Sequence, residues 1–170
     1  TVINLDASAF GIEAELTAKP VSGLTLQLGV SYLDSEVKDV PLPDLVTIED
    51  HELPQAPRIS ANALARYEFP LGGAGRASVQ ADLQYSDKFC FTVLCAPVEC
   101  ESSYVVGNLR VGYAADDGRW EVAAFVDNVF EEEYRVYAFD SSLFSGVVAG
   151  VYAKPRTFGI SGTYRFGAAR

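Results

Sequence analysis

From Ala77 to Tyr85 every second residue is apolar (Ala77, Val79, Ala81, Leu83, Tyr85), and the residues between them are Ser78, Gln80, Asp82 and Gln84. Successive side chains of an extended chain point to opposite faces, so this segment is a strand with one apolar and one polar face. A helix would scatter both sets around its axis. The same period of two returns along most of the chain, in seven segments at about 10–19, 24–33, 58–69, 77–86, 104–113, from 120 onward, and over 157–166. The sixth is the least regular by face, because Trp120, Val122, Ala124 and Val126 alternate with Glu121 and Asp127 but also with Ala123 and Phe125.

Which environment the apolar face meets follows from composition and from the connections. Charged residues make up 21% of the 170 residues, and mean hydropathy is positive, at +0.11. No apolar run approaches the ~18 residues of a membrane-spanning helix, whereas a tilted membrane-spanning strand needs only about 9–11. Only helices and closed barrels satisfy their backbone groups in lipid, so the strand route alone is open. The connections alternate between short turns rich in Gly, Pro and Asp at 20–23, 70–75 and 114–119 and long loops at 34–57, 87–103 and 130–155. An up-and-down meander with all long loops at one end results, as in outer-membrane barrels. Rings collect at strand ends, with Tyr67, Phe69, Tyr113, Trp120, Tyr164 and Phe166 at the short-turn end and Tyr32, Tyr85, Tyr104 and Tyr134 at the other. Two such girdles suit the two water interfaces of a bilayer, while a soluble antiparallel barrel or sandwich mixes rings through its core. The expected fold is therefore all-β, an antiparallel meander of about seven strands forming part of a transmembrane β-barrel. Bacterial single-chain barrels have even strand counts, so a further strand is expected before the first, with residues 1–170 a partial domain.

Charge and cysteines narrow the function. Net charge is −10, from 23 acids and 13 bases, which argues against nucleic acid as a partner. Runs such as Glu131-Glu132-Glu133 read first as solvated loop charge and second as attraction for cations. Cys90, Cys95 and Cys100 share one loop. One pair can close a small disulfide, any of the three pairings being open, and three thiols without a nearby histidine make a poor zinc site. The lone histidine, His51, stands in no catalytic arrangement, and the glycines at 72, 73 and 75 lack the Lys-Ser/Thr of a phosphate loop. No catalysis, metal or cofactor is expected.

Several stretches resemble the C-terminal part of TonB-dependent outer-membrane receptors. They are Gly11-Ile-Glu-Ala-Glu-Leu, the 24–34 segment ending Ser-Tyr-Leu-Asp, Leu53-Pro-Gln-Ala-Pro-Arg, Asn108-Leu-Arg-Val-Gly-Tyr, Trp120-Glu-Val-Ala-Ala-Phe-Val-Asp-Asn-Val-Phe-Glu-Glu-Glu-Tyr, Pro155-Arg-Thr-Phe-Gly-Ile, and Tyr164-Arg-Phe. The resemblance covers nearly the whole chain, in the family's order. It implies a place in the bacterial outer membrane, in the wall of a barrel of about 22 strands around a plug. It further implies coupling to TonB through a plug that these residues do not include, and import of a scarce small-molecule nutrient such as an iron–siderophore complex, cobalamin or a saccharide. Tyr164 and Phe166 match the terminal signal that the family presents to the barrel-assembly machinery, here followed by Gly167-Ala-Ala-Arg170.

Within that frame Arg66, Gln80, Asp82, Asn108 and Arg110 are the expected lumen-facing residues, either contacting plug or solute or pairing across strands. Phe91, Tyr134, Tyr137, Phe139 and Phe144, in the loops at 87–103 and 134–144, are candidates for stacking on a ligand or for packing the loops. The alternatives are a passive outer-membrane barrel, porin-like or adhesive, and a soluble ligand-binding barrel of the lipocalin kind.

Overall fold

Each of the seven alternating segments forms a strand in the computed structural model, which describes residues 4–42, 46–141 and 145–166. These are β1 (Ala7–Ala18), β2 (Leu24–Pro41), β4 (Ile59–Pro70), β5 (Arg76–Ser86), β8 (Tyr104–Ala114), β9 (Trp120–Asp127) and β12 (Thr157–Tyr164). The long connections carry the remaining strands, β3 (Ile48–His51), β6 (Phe89–Cys90), β7 (Cys100–Glu101), β10 (Arg135–Ser141) and β11 (Val147–Tyr152). The first seven lie side by side in chain order, each antiparallel to its neighbours, and β3 extends the sheet by pairing with the far end of β2.

The pairing register aligns residues of one kind across the whole sheet. Ala18, Leu26, Ala65, Ala81, Leu109, Val126 and Phe158 stand opposite one another from β1 to β12. Leu24, Tyr67, Val79, Val111, Ala124 and Ile160 form a second apolar row. Between them runs Thr25, Arg66, Gln80, Arg110, Phe125 and Gly159. A slip of one residue in any strand would put its apolar set among the polar rows, so the register is strongly determined. The irregular sixth segment obeys it, with Ala123 and Phe125 on the polar side.

The apolar rows are not a core. Val79, Leu83 and Val111 are 45%, 46% and 56% exposed. Among the described residues, apolar burial is confined to Val37, Val40, Phe91, Ala123 and Ala138. A continuous apolar surface several strands wide is thus left uncovered by the rest of the chain.

Strand boundaries follow the sequence reading except in β2, which runs to Pro41 rather than stopping near Leu33. Its outer part, where Asp34, Glu36 and Lys38 break the apolar pattern, keeps its hydrogen-bonded pairing with β1 and then joins β3 across an irregularity between Val37 and Val40. Eighteen residues exceed the about 9–11 needed to cross a bilayer, so this strand projects well beyond it.

The girdles hold in part. Trp120 and Tyr164 pack with ring centroids 4.6 Å apart, and Phe166 meets Tyr164 edge-on at 4.6 Å. At the other end Tyr32 and Tyr85 lie in apolar rows. Tyr104 does not: it stands opposite Ser86, in the polar row that includes Ser60, Ser31 and Glu13, and stacks on Tyr134 at 4.2 Å. Counting back by twos from Tyr113 reaches Val105, so strand parity sends Tyr104 to the polar face and corrects its assignment to a lipid girdle.

Two turn glycines are fixed by backbone contacts. Gly23 (φ 85°) and Gly75 (φ 122°) leave no room for a Cβ against the carbonyl oxygens of Glu68 and Ala114 respectively. Gly72 (φ 56°) has open space around it. Gly23→Ala should therefore cost about 2 kcal/mol, from left-handed conformation and steric overlap together, against about 1 kcal/mol for Gly72→Ala. Equilibrium unfolding of the two variants in lipid measures the difference.

Candidate functional site

The polar rows bring side chains from successive strands within reach of one another. Arg66 binds Glu68 through Nε (2.8 Å) and Nη2 (2.7 Å), and its Nη1 donates to Gln80 Oε1 at 3.4 Å. Gln80 donates to Asp82 Oδ1 at 3.5 Å, and Asn108 donates to Asp82 Oδ2 at 2.6 Å. Asn108 Oδ1 accepts from the backbone N–H of Asn128 at 2.9 Å. The buried Asn128 side chain then ties the Glu132 N–H and the Glu132 and Lys154 carbonyls at 2.9, 2.9 and 3.3 Å. A hydrogen-bonded ribbon thus runs from the short-turn end of the sheet to its loops. It joins four of the five residues expected on the lumen side, Arg66, Gln80, Asp82 and Asn108. The fifth, Arg110, lies on the same face but turns the other way, donating to Ser161 at 3.1 Å. Phe125 covers Gly159 on this face, where an added Cβ would meet its ring.

At the long-loop end two connections form one body. Between β6 and β7 the chain makes a 3-10 turn, Pro97–Glu99, whose Glu99 side chain is buried. The Thr92 hydroxyl donates to Glu99 at 2.6 Å, and the backbone N–H of Asp140, in β10, donates to its other oxygen at 3.1 Å. Arg135, the first residue of β10, returns the grip. Its backbone N–H and Nε donate to Glu101 at 3.1 and 2.7 Å, Nη1 donates to the Val98 carbonyl at 2.7 Å, and Nη2 donates to that of Cys100. The guanidinium also lies 5.9 Å from the centre of the Phe91 ring.

The five aromatic candidates separate accordingly. Phe91 is buried, edge-on to Phe89 at 5.1 Å and 6.4 Å from Tyr137, so it packs the loops together. Tyr134 is half-buried against Tyr104. Tyr137 and Phe139 are exposed on the β10–β11 hairpin. Phe144 lies outside the described residues.

The three cysteine sulfurs lie within 4.8 Å of one another. Cys90 stands beside both Cys95 and Cys100, so the three sequence-predicted cysteines come together in one loop and the pairing between them stays open. Sequence reasoning did not single out Asn128, Glu99, Glu101 or Arg135. Asn128 has a left-handed backbone (φ 53°), a conformation to which asparagine is suited at the end of a strand. No comparable local signal marks Arg135, whose partners lie 34 to 37 residues away in sequence.

Arg135 and Glu101 are mostly shielded from solvent. Arg135→Met should leave Glu101 with only the backbone N–H of residue 135, deprive two carbonyls of their side-chain donor, and cost about 2 kcal/mol. It should also speed proteolytic cleavage within 91–99, measured on the folded protein in its membrane; an unchanged cleavage rate would mean that the two loops are independent.

A meander with an uninterrupted apolar outer face, a hydrogen-bonded polar face, tight turns at one end and built loops at the other defines the wall of a membrane β-barrel. A family model described as TonB dependent receptor-like, beta-barrel matches residues 1–129. The chain belongs to that family of outer-membrane receptors. Solved structures agree on the fold. The ferric yersiniabactin uptake receptor FyuA of Yersinia pestis superposes with a TM-score of 0.80 at 20% identity, over 96% of this chain and 24% of that one. The siderophore receptor PiuA of Acinetobacter baumannii gives 0.69 at 19% identity, over 93% and 22%. The ferric-catecholate import receptor Fiu of E. coli gives 0.70 at 17%, over 95% and 21%. The chain thus spans less than a quarter of the length of each of these receptors. Its family and structural neighbours are transport receptors rather than enzymes.

Proposed function

We propose that residues 1–170 form the C-terminal wall of a TonB-dependent transporter in a bacterial outer membrane, which imports a ferric siderophore complex. The observation that carries this reading is the polar ribbon from Glu68 to Asn128, which links the turn end to the loop body on the side away from the apolar rows. In a closed barrel that side faces an aqueous lumen, where Arg66, Asp82 and Arg110 offer charge to a plug or to a passing solute. Edges β1 and β12 are completed by other strands of the same barrel, since an unpaired edge is costly in hydrocarbon. Tyr137 and Phe139, held outside the membrane on β10, supply apolar contact area for a chelate. Energy reaches the barrel from TonB through the plug.

The siderophore rather than the cobalamin or saccharide reading is supported by the neighbours, among them a ferric yersiniabactin uptake receptor, a siderophore receptor and a ferric-catecholate import receptor. Deleting the gene and measuring radiolabelled iron uptake over a panel of siderophores tests it. Uptake of one ferric chelate should vanish in the deletion strain and in a strain lacking TonB. Uptake that persists without TonB would make the protein a passive barrel, and unchanged uptake of every chelate would remove iron from the reading.

A further inference from the structure

The connection between β9 and β12 leaves the wall through a neck that is gripped on both faces of the sheet. On the polar side Asn128 closes it. Its buried side chain accepts from the Glu132 N–H at 2.9 Å and donates to the carbonyls of Glu132 and Lys154 at 2.9 and 3.3 Å. One residue therefore ties the outgoing limb to the limb that returns 26 residues later. The Asn128 N–H is itself bound to Asn108 Oδ1, in β8, at 2.9 Å. One step further out, Ala153 donates to the Tyr134 carbonyl at 2.9 Å, and the Tyr134 ring stacks on Tyr104.

On the apolar side the neck is held by a ring. Val129 donates its backbone N–H to the Gly107 carbonyl at 2.8 Å, and the Phe130 ring lies over Gly107 itself, where an added Cβ would stand 2.7 Å from Phe130 Cε2. Gly107 pairs with Leu83 in an apolar row, yet it is buried, because Phe130 occupies the space that a side chain would fill. Gly107 and Asn108 are consecutive in β8 and so belong to opposite faces. Two neighbouring wall residues thus hold Phe130 from one side and Asn128 from the other.

We infer that Asn128 and Phe130 are positioning residues that fix the pose of the β10–β11 hairpin relative to the wall. A strand pair joined to a sheet by two limbs swings about them unless the limbs are tied together at the base and pinned to the sheet, and this neck does both. The contacts of Arg135 do neither, since its partners Glu101, Val98 and Cys100 belong to another loop. A fixed hairpin presents Tyr137 and Phe139 in one arrangement, so the ordering of these rings is complete before a chelate arrives and does not weaken its binding. That use of the pose rests on the receptor reading; the clamp itself does not.

Dipolar electron resonance between genetically encoded nitroxide side chains, which leave the three cysteines as they are, tests the clamp on the intact protein in its own membrane. One label pair, at Val79 in β5 and Val148 in β11, reports the pose, and a second, at Leu16 in β1 and Val122 in β9, reports the wall alone. All four positions are exposed. Asn128→Gly removes the clasp while keeping the left-handed backbone (φ 53°) easy to adopt. Phe130→Ala removes the ring and leaves the clasp. Each should at least double the width of the 79–148 distance distribution, the two together should widen it further, and the 16–122 distribution should keep its width. Asn128→Asp, which keeps an acceptor for the Glu132 N–H but loses both donations, should fall between the parent protein and Asn128→Gly. An unchanged 79–148 width in either single variant would overturn the clamp. Equal broadening of both label pairs would overturn positioning in favour of a general role in folding the wall. No ligand and no uptake is read, so either negative result leaves the transporter reading untouched, and a failure of iron uptake leaves the clamp untouched.

Discussion

Replacing Leu83 by arginine is expected to cost about 2–4 kcal/mol of folding stability in a bilayer. The same replacement of Gln84, the next residue, should cost no more than about 0.5 kcal/mol. Leu83 lies near the middle of β5 in an apolar row with Leu28, Ala63 and Gly107, and its side chain is half exposed. If lipid covers that row, an arginine there must either carry its charge into hydrocarbon or distort the bilayer to reach water. Gln84 points to the other face, between Asn62 and Val106, where the same guanidinium stays hydrated. The pair holds strand, depth and substituent nearly constant and varies only the face. Equilibrium unfolding of both variants in lipid vesicles measures the difference. Equal costs would mean that the sheet does not separate lipid from water.

Phe166→Ala should lower the amount of protein in the outer membrane several-fold, while Phe139→Ala should leave it unchanged. Both substitutions remove one exposed phenyl ring. Phe166 closes the row of rings Trp120, Tyr164 and Phe166 beside the short turns, where amphipathic and aromatic side chains anchor strands at the headgroups. In the proposed receptor the same residue is also read by the assembly machinery. Phe139 sits on a hairpin beyond the membrane, so its loss should affect ligand binding and not insertion. A destabilisation of one to two kcal/mol is enough for such a change in abundance. Quantitative blotting of outer-membrane fractions decides it, and equal abundance would show that position at the end of the last strand does not matter.

The fold was legible where one physical signal dominated. Alternation between Ala77 and Ser86 fixed both the strand and its two faces, because a one-residue error would exchange Leu83 with Asp82. Turn residues at 20–23, 70–75 and 114–119 fixed the meander. Beyond Leu33 the signal disappears, since outside a membrane a strand is held by backbone pairing that charged residues such as Glu36 tolerate as well as apolar ones. At Tyr104 parity outranks ring type, since its pairing with Ser86 puts the ring on the polar face. The loops were the least legible part. Phe91 and Tyr137 look equivalent in sequence, yet Phe91 is buried against Phe89 and the Arg135 guanidinium while Tyr137 stays half exposed. Contacts that span more than 30 residues leave no local pattern. Arg66, Gln80, Asp82 and Asn108 share the polar face by period alone, which is legible in the sequence. Their linkage through Asn128 required the register between strands.

The claim on which the rest depends is that one face of this sheet meets lipid and the other water. Single spin labels at each position from 77 to 86, in an otherwise cysteine-free protein in its native membrane, report both environments through collision with oxygen and with a water-soluble nickel chelate. Labels at 77, 79, 81, 83 and 85 should be relaxed mainly by oxygen and those at 78, 80, 82 and 84 mainly by the nickel reagent. Oxygen and nickel accessibility that rise and fall together along the strand, or that alternate in the opposite sense, would contradict a lipid-facing wall.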